Sequence, residues 1–143
     1  MRVTDAVACL HHHHDIAGPG VGHGGRYSHA VVSDGHVHLS GQIAADDPGP
    51  EGAAAIGDIR AETRVCLRLL AAVLAEVGLD LSDVVRVGVF MTDLAEFDAM
   101  NEAYAARFPP GRLPARTCVG VASILAGCRV EIDAVARLRA PAA

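Results

Sequence analysis

Lysine is absent: all twelve basic residues of the 143-residue chain are arginine. Without lysine the chain cannot form a Schiff base with pyridoxal phosphate or a carbonyl substrate. Tryptophan is also missing and aromatics make up only 3% of residues, so stacking platforms for bases or sugars are poorly supplied. A net charge of -5 argues against a footprint for a phosphate backbone, and no nucleic-acid partner is expected. No apolar run approaches the roughly 20 residues that a membrane span requires, so no membrane partner is expected either. The four cysteines, Cys9, Cys66, Cys118 and Cys128, are far apart with no C-x-x-C pair and no secretory signal ahead of them. That is the pattern of a reduced, cytoplasmic chain.

A hydrophobic content of 51% is enough to build one core, and the length suits one domain. Residues 1–22 are rich in His and Gly without sustained periodicity and read as a flexible arm, leaving residues 23–143 as a single domain. The run His11 to His14 has no spaced carboxylate or thiol beside it and is assigned no metal and no function.

Beyond the arm the pattern sharpens. Two short apolar runs around Ser33-Asp34-Gly35 predict a β-hairpin, with His36 and His38 on one face of its second strand. An H-x-H pair could offer two metal ligands, but no third is evident, and exposed strand histidines are the simpler reading. AADDPGPEGAA reads as a loop. Ile59, Thr63, Cys66, Leu67, Leu70, Leu74 and Val77 then recur at helical steps, with Arg60, Glu62, Arg64, Arg68 and Glu76 opposite, Asp58 as N-cap and Gly78 past the end. A strand over VVRVGVFMTD follows, alternating Val85, Val87, Val89 and Met91 against its other face. Asp93 opens a second helix with the stripe Leu94, Phe97, Met100, Tyr104 and Phe108, ended by Pro109 and Pro110. Strands over 115–122 and 129–138 close the chain. The order β-β-α-β-α-β-β predicts an α+β fold, a mixed sheet with both helices on one face. The other face, expected to be lined by Ala and Gly, needs a partner, which points to a homo-oligomer.

Arg116 opens the fourth strand. Arginine keeps its charge and is rarely buried without a partner. Period two puts Arg116 and Cys118 on one face, and Glu131 and Asp133 together on the next strand. These two strands alone favour a structural Arg116–Glu131 ion pair. The segments Tyr27-Ser28, Ser40-Gly41-Gln42-Ile43, Gly78, Asp83-Val84-Val85, Asn101-Glu102-x-Tyr104, Pro114-Ala115-Arg116-Thr117-Cys118 and Val130-Glu131-Ile132 add a wider context. In order and spacing they resemble the RidA family, also called YjgF or L-PSP, over about residues 23–138. The resemblance implies a chorismate-mutase-like fold and a homotrimer with sites at its subunit interfaces. It also implies hydrolysis of reactive 2-imino or 2-enamino acids to 2-keto acids and ammonia, and because free imines already hydrolyse in water no metal or cofactor is expected. Carried over by motif, Arg116 matches the carboxylate-binding arginine and Glu131 the water-positioning glutamate. Tyr27, Ser40, Gly41, Asn101 and Cys118 match residues on or around the pocket.

Each of these has a plainer reading. Tyr104 continues a helix stripe and reads as core, Asn101 could be a surface residue, Ser40 could start a turn, and Tyr27 could be an ordinary strand residue. Cys118 has no histidine near it in sequence and is not expected to form a covalent intermediate. The chain also departs from the family pattern. Gly25-Arg26-Tyr27-Ser28-His29-Ala30 stands where the family has G-P-Y-S-Q-A, and Ala44 replaces a proline. Arg26 and His29 would add a cation and a group titrating near neutrality to the rim, favouring a larger or dicarboxylic enamine. The alternative function is a non-catalytic small-carboxylate-binding module using the same pocket. A ribonuclease reading ranks last, since no basic, aromatic surface is evident.

Overall fold

The computed structural model describes residues 8–10 and 27–140. Its strands are β1 (Ala8–Leu10), β2 (Ala30–Ser33), β3 (His36–Gln42), β4 (Val84–Met91), β5 (Ala115–Gly120) and β6 (Val130–Arg137), and its helices are α1 (Pro50–Ala55), α2 (Ile59–Ala75) and α3 (Phe97–Ala105). The strands form one sheet in the order β1-β2-β3-β6-β4-β5. Only the β4–β5 pairing is parallel. This is the expected α+β arrangement of a mixed sheet with α2 and α3 on one face, with two additions. β1 adds an edge strand within the segment read as a loose arm, while the histidine run and Arg26 lie outside the described residues. The segment 44–54, expected to be loop, contains a 3-10 turn and α1. Pro50 in the first turn of α1 is pre-set for a helix start, and the three alanines after Gly52 continue it.

The local chemistry of the elements is the expected one at several points. Asp34 and Gly35 both have positive φ (49° and 76°), as a type I′ hairpin turn requires. Asp58 caps α2 by accepting from the Arg60 and Ala61 amides at 3.0 and 3.1 Å. Leu67, Leu70 and Leu74 of α2 are buried against Val37 of β3, Val87 and Val89 of β4 and Ile132 of β6. Each such side chain contributes about 1.5–3 kcal/mol on leaving water.

Three sequence expectations are corrected. Glu62, assigned to the outer side of α2, is fully buried; its carboxylate accepts from the Gly57 and Arg129 amides at 2.9 and 2.8 Å. A buried carboxylate survives when hydrogen-bonded, and here it ties the entry of α2 to the start of β6. Val85 is exposed because the β4–β6 register shifts between Val84 and Arg86. Leu94 sits in a 3-10 turn ahead of α3 and is exposed, outside the core stripe.

The uncovered face of the sheet also differs from expectation. In place of a lining of Ala and Gly it carries His36 and His38 of β3, Gly88 and Phe90 of β4, and Glu131, Asp133 and Val135 of β6, all of which alternate with the buried positions. The alanines at 134 and 136 are buried under the helices instead.

Candidate active site

β5 carries Arg116 on its helix-covered face. In the parallel register Arg116 pairs with Val87 and Cys118 with Val89, and both valines are buried. The guanidinium lies 5.5 Å from the Phe97 ring centroid and 4.6 Å from that of Tyr104, and its Nη1 donates to Asn101 Oδ1 at 2.8 Å. Cation–π contact and a hydrogen bond from α3 thus fix its direction. Phe97 was read as stripe alone; facing Arg116 one turn ahead of Asn101, it also braces the guanidinium. Tyr104 is core as expected, yet forms the floor beneath the charge. Its buried hydroxyl has no hydrogen-bond partner among the described residues, and burial pushes its pKa up to about 12 despite the opposing Arg116 charge. Burial also raises the Cys118 thiol, again against Arg116.

Glu131 lies on the opposite, uncovered face, where β6 aligns it with Phe90. Around it is a cleft of about 300 Å³ lined by Tyr27, Ser40, Gly41, Ile43, Asp46, Leu125 and Glu131. The β3–β6 register shift between Leu39 and Gln42 lies here. Such a bulge re-aims side chains at a sheet's functional edge. Gly41 leaves room for the close approach: a Cβ there would be 2.2 Å from Glu131 Oε1, so the carboxylate would have to swing aside. Ser40 Oγ donates to Ser28 O at 2.6 Å and its amide to His29 O at 2.9 Å, holding the chain that presents Tyr27 at the rim. Tyr27 is half-exposed and packs edge-on to His29 at 6.0 Å. Its phenol is shifted upward by burial, then by Asp46 and Glu131, so it is a hydrogen-bond donor at neutral pH. Ile43, Asp46 and Leu125 were missed from sequence. Only folding of the 43–46 turn and of the 124–127 turn, where Ala126 takes a φ of 58°, brings them to the cleft.

The structure therefore separates the seven expected residues into two groups. Tyr27, Ser40, Gly41 and Glu131 share the cleft, and Arg116, Asn101 and Cys118 lie together on the other side of the sheet. The Arg116–Glu131 ion pair favoured by the two strands alone does not form. β4 lies between β5 and β6, so two strand spacings of roughly 4.8 Å separate them. The side chains point to opposite faces, and the register sets Arg116 level with Ala134 rather than Glu131.

Comparison with known proteins agrees with this architecture. A family model described as "Endoribonuclease L-PSP" matches residues 21–138. The chain is 44% identical over 114 residues to Protein DfrA of Myxococcus xanthus, spanning 78% of this chain and 85% of that one. It is 37% identical over 112 residues to the 2-iminobutanoate/2-iminopropanoate deaminase of Rattus norvegicus, spanning 78% and 80%. Among solved structures it resembles RidA from the Antarctic bacterium Psychrobacter sp. (TM-score 0.71, 32% identity, 80% and 89% covered) and yeast Mmf1 (TM-score 0.70, 27% identity, 94% and 98% covered). The sheet order, the helices on one face and the match over residues 21–138 thus agree, and the chain belongs to the RidA/YjgF/L-PSP family.

Proposed function

We propose that the chain hydrolyses small 2-imino or 2-enamino acids to 2-keto acids and ammonia at a site assembled between two copies. The observation that carries this reading is the separation of Arg116 from Glu131 across the sheet, each within its own set of partners. A copy docking its β5 edge against the neighbour's Glu131 cleft would join the carboxylate-binding group to the water-handling group. A heterologous contact of this kind gives a ring when its rotation closes, as the expected homotrimer requires.

The chemistry follows from the groups. Arg116 grips both oxygens of the substrate carboxylate through its planar fork, held square by Asn101 and the two rings. The C=N carbon then faces Glu131, which orients a water and accepts its proton as the C–O bond forms, a role typically worth about 100- to 10,000-fold. The carbinolamine gains a proton at nitrogen and expels ammonia as C=O forms. Because free imines already hydrolyse in water, positioning supplies most of what is needed. The relative from rat is named for this activity. The acids Asp46 and Glu131 in the cleft lining disfavour a second substrate carboxylate on that side. This supports monocarboxylic imines over the dicarboxylic enamine that Arg26 and His29 suggested.

The test is subunit complementation. An amino-acid oxidase generates 2-iminobutanoate while semicarbazide traps what survives, and Arg116→Ala and Glu131→Gln proteins are assayed alone and after co-expression. Each alone should fail to suppress the semicarbazone. Randomly mixed oligomers should recover about a quarter of the wild-type sites, those pairing Arg116 of one copy with Glu131 of another. No recovery despite mixed assembly refutes the shared site. Wild-type protein unable to compete with the trap would favour the binding-module function.

A further inference from the structure

A second cleft lies on the helical side, away from both groups above. It has a volume of about 350 Å³ and lies between α1, α2 and the end of α3, with Ala54, Ala55, Ala61 and Val65 as its apolar walls. Three arginines border it, Arg64, Arg68 and Arg107, and one carboxylate, Glu51.

The charges around it are unevenly satisfied. Arg60, Arg64 and Arg68 stand one helical turn apart along α2, where like charges repel. The outer two are neutralised from neighbouring elements: Arg60 by Glu102 at 2.5 Å, Arg68 by Asp47 at 2.6 Å and Glu51 at 3.5 Å. Among the described residues no carboxylate pairs with Arg64 or with Arg107, which reaches in from beyond α3. The cleft thus combines two uncommitted guanidinium forks with a small apolar pocket, a few directional groups over an apolar lining, in the size range of small-ligand sites.

From this we infer that the cleft binds a small aliphatic monocarboxylate, its oxygens on Arg64 and Arg107 and its hydrocarbon against Ala54, Ala55, Ala61 and Val65. Arginine forks match a carboxylate in plane and spacing. Glu51 at the rim, with a side chain 78% exposed, opposes a second negative charge, which selects a monoanion over a phosphate dianion. The site is independent of the proposed imine chemistry, because neither Arg116 nor Glu131 takes part.

The experiment titrates sodium butanoate into ¹⁵N-labelled Arg116→Ala protein, in which the other carboxylate-binding arginine is gone. Saturable shifts at the amides of Ala54, Ala55, Ala61 and Val65 are expected. Adding Arg64→Ser and Arg107→Ser should weaken the apparent affinity at least about tenfold, as expected for loss of charge-assisted hydrogen bonds. Both residues are exposed, so the fold should persist, and the Arg64→Ser/Arg107→Ser protein with Arg116 intact should keep its imine turnover. The inference is overturned if those amides do not shift saturably or if the double substitution leaves their titration unchanged. It is also overturned if inorganic phosphate matches butanoate, since the arginines would then be collecting any anion without use of the apolar walls.

Discussion

The two groups of site residues are built to different standards of rigidity. Arg116 is half-buried and held in place: Asn101 fixes its direction, Phe97 and Tyr104 face it, and the helices cover that side of the sheet. Glu131 stands on the uncovered face in an open cleft, its position set by the close fit over Gly41. If the site is shared as proposed, the carboxylate-binding element is preorganised within one chain, whereas the water-handling element draws on a second copy to exclude bulk solvent. Substitutions on the two sides should fail in different ways.

The largest effects should come from the two charged groups. Arg116→Lys keeps the charge but loses the fork, and kcat/KM for 2-iminobutanoate should fall by about 100-fold or more, as when one partner of an enclosed charge pair is truncated. Glu131→Gln should lower kcat by about 100- to 10,000-fold while a keto acid still binds. A Glu131→Gln protein that also loses keto-acid binding would erase the division of labour between the two sides.

A sharper contrast uses two glycines that each face an acid of β6. At Gly41 an added Cβ would be 2.2 Å from Glu131 Oε1, and at Gly88 it would be 2.3 Å from Asp133 Oδ1. The consequences differ because the acids do. Asp133 Oδ1 accepts from the Gly88 amide at 3.0 Å, so Gly88→Ala should break a structural bond and cost about 1–2 kcal/mol in chemical denaturation. Gly41→Ala should lower kcat by about tenfold or more, since the displaced carboxylate loses its geometry. Equal losses of kcat would mean that Asp133 also serves the site.

On the enclosed side a smaller effect is expected from Asn101→Ala. Removing the acceptor 2.8 Å from Arg116 Nη1 frees the guanidinium to rotate, which weakens substrate binding. KM should rise about tenfold with little change in kcat, the worth of one charge-assisted hydrogen bond. A fall in kcat at constant KM would place Asn101 on the reacting atoms instead.

Much of the scaffold was legible because its signals are local. The Asp34-Gly35 turn, the Asp58 cap and the leucine stripe of α2 are each determined within a few residues. What escaped was set by distant partners. Glu62 looks like a surface residue in the helix period, and only the amides of Gly57 and Arg129 explain its burial. α1 was hidden by the Pro and Gly around it. The candidate residues were recognised by motif, but their arrangement was not, because sequence order says nothing of β4 lying between β5 and β6. That single topological fact turns the ion pair that the two strands alone favour into two separate groups.

Cys118 tests how far the enclosed side is committed to binding alone. It sits two residues from Arg116 on the same strand face, where a thiolate would be a natural nucleophile. The pKa direction opposes that role: burial lifts the thiol, and the Arg116 charge only partly offsets it, so the neutral thiol dominates at pH 7. Its Sγ lies 3.7 Å from Met91 Sδ, an ordinary packing contact. Cys118→Ser should therefore leave kcat within about threefold, since a hydroxyl at this site replaces packing and not chemistry. The pH profile from 6 to 8 should be superimposable on that of the wild type. A loss of about 100-fold, or a basic limb that vanishes in the variant, would instead show a covalent step and move the chemistry from the Glu131 side to the Arg116 side.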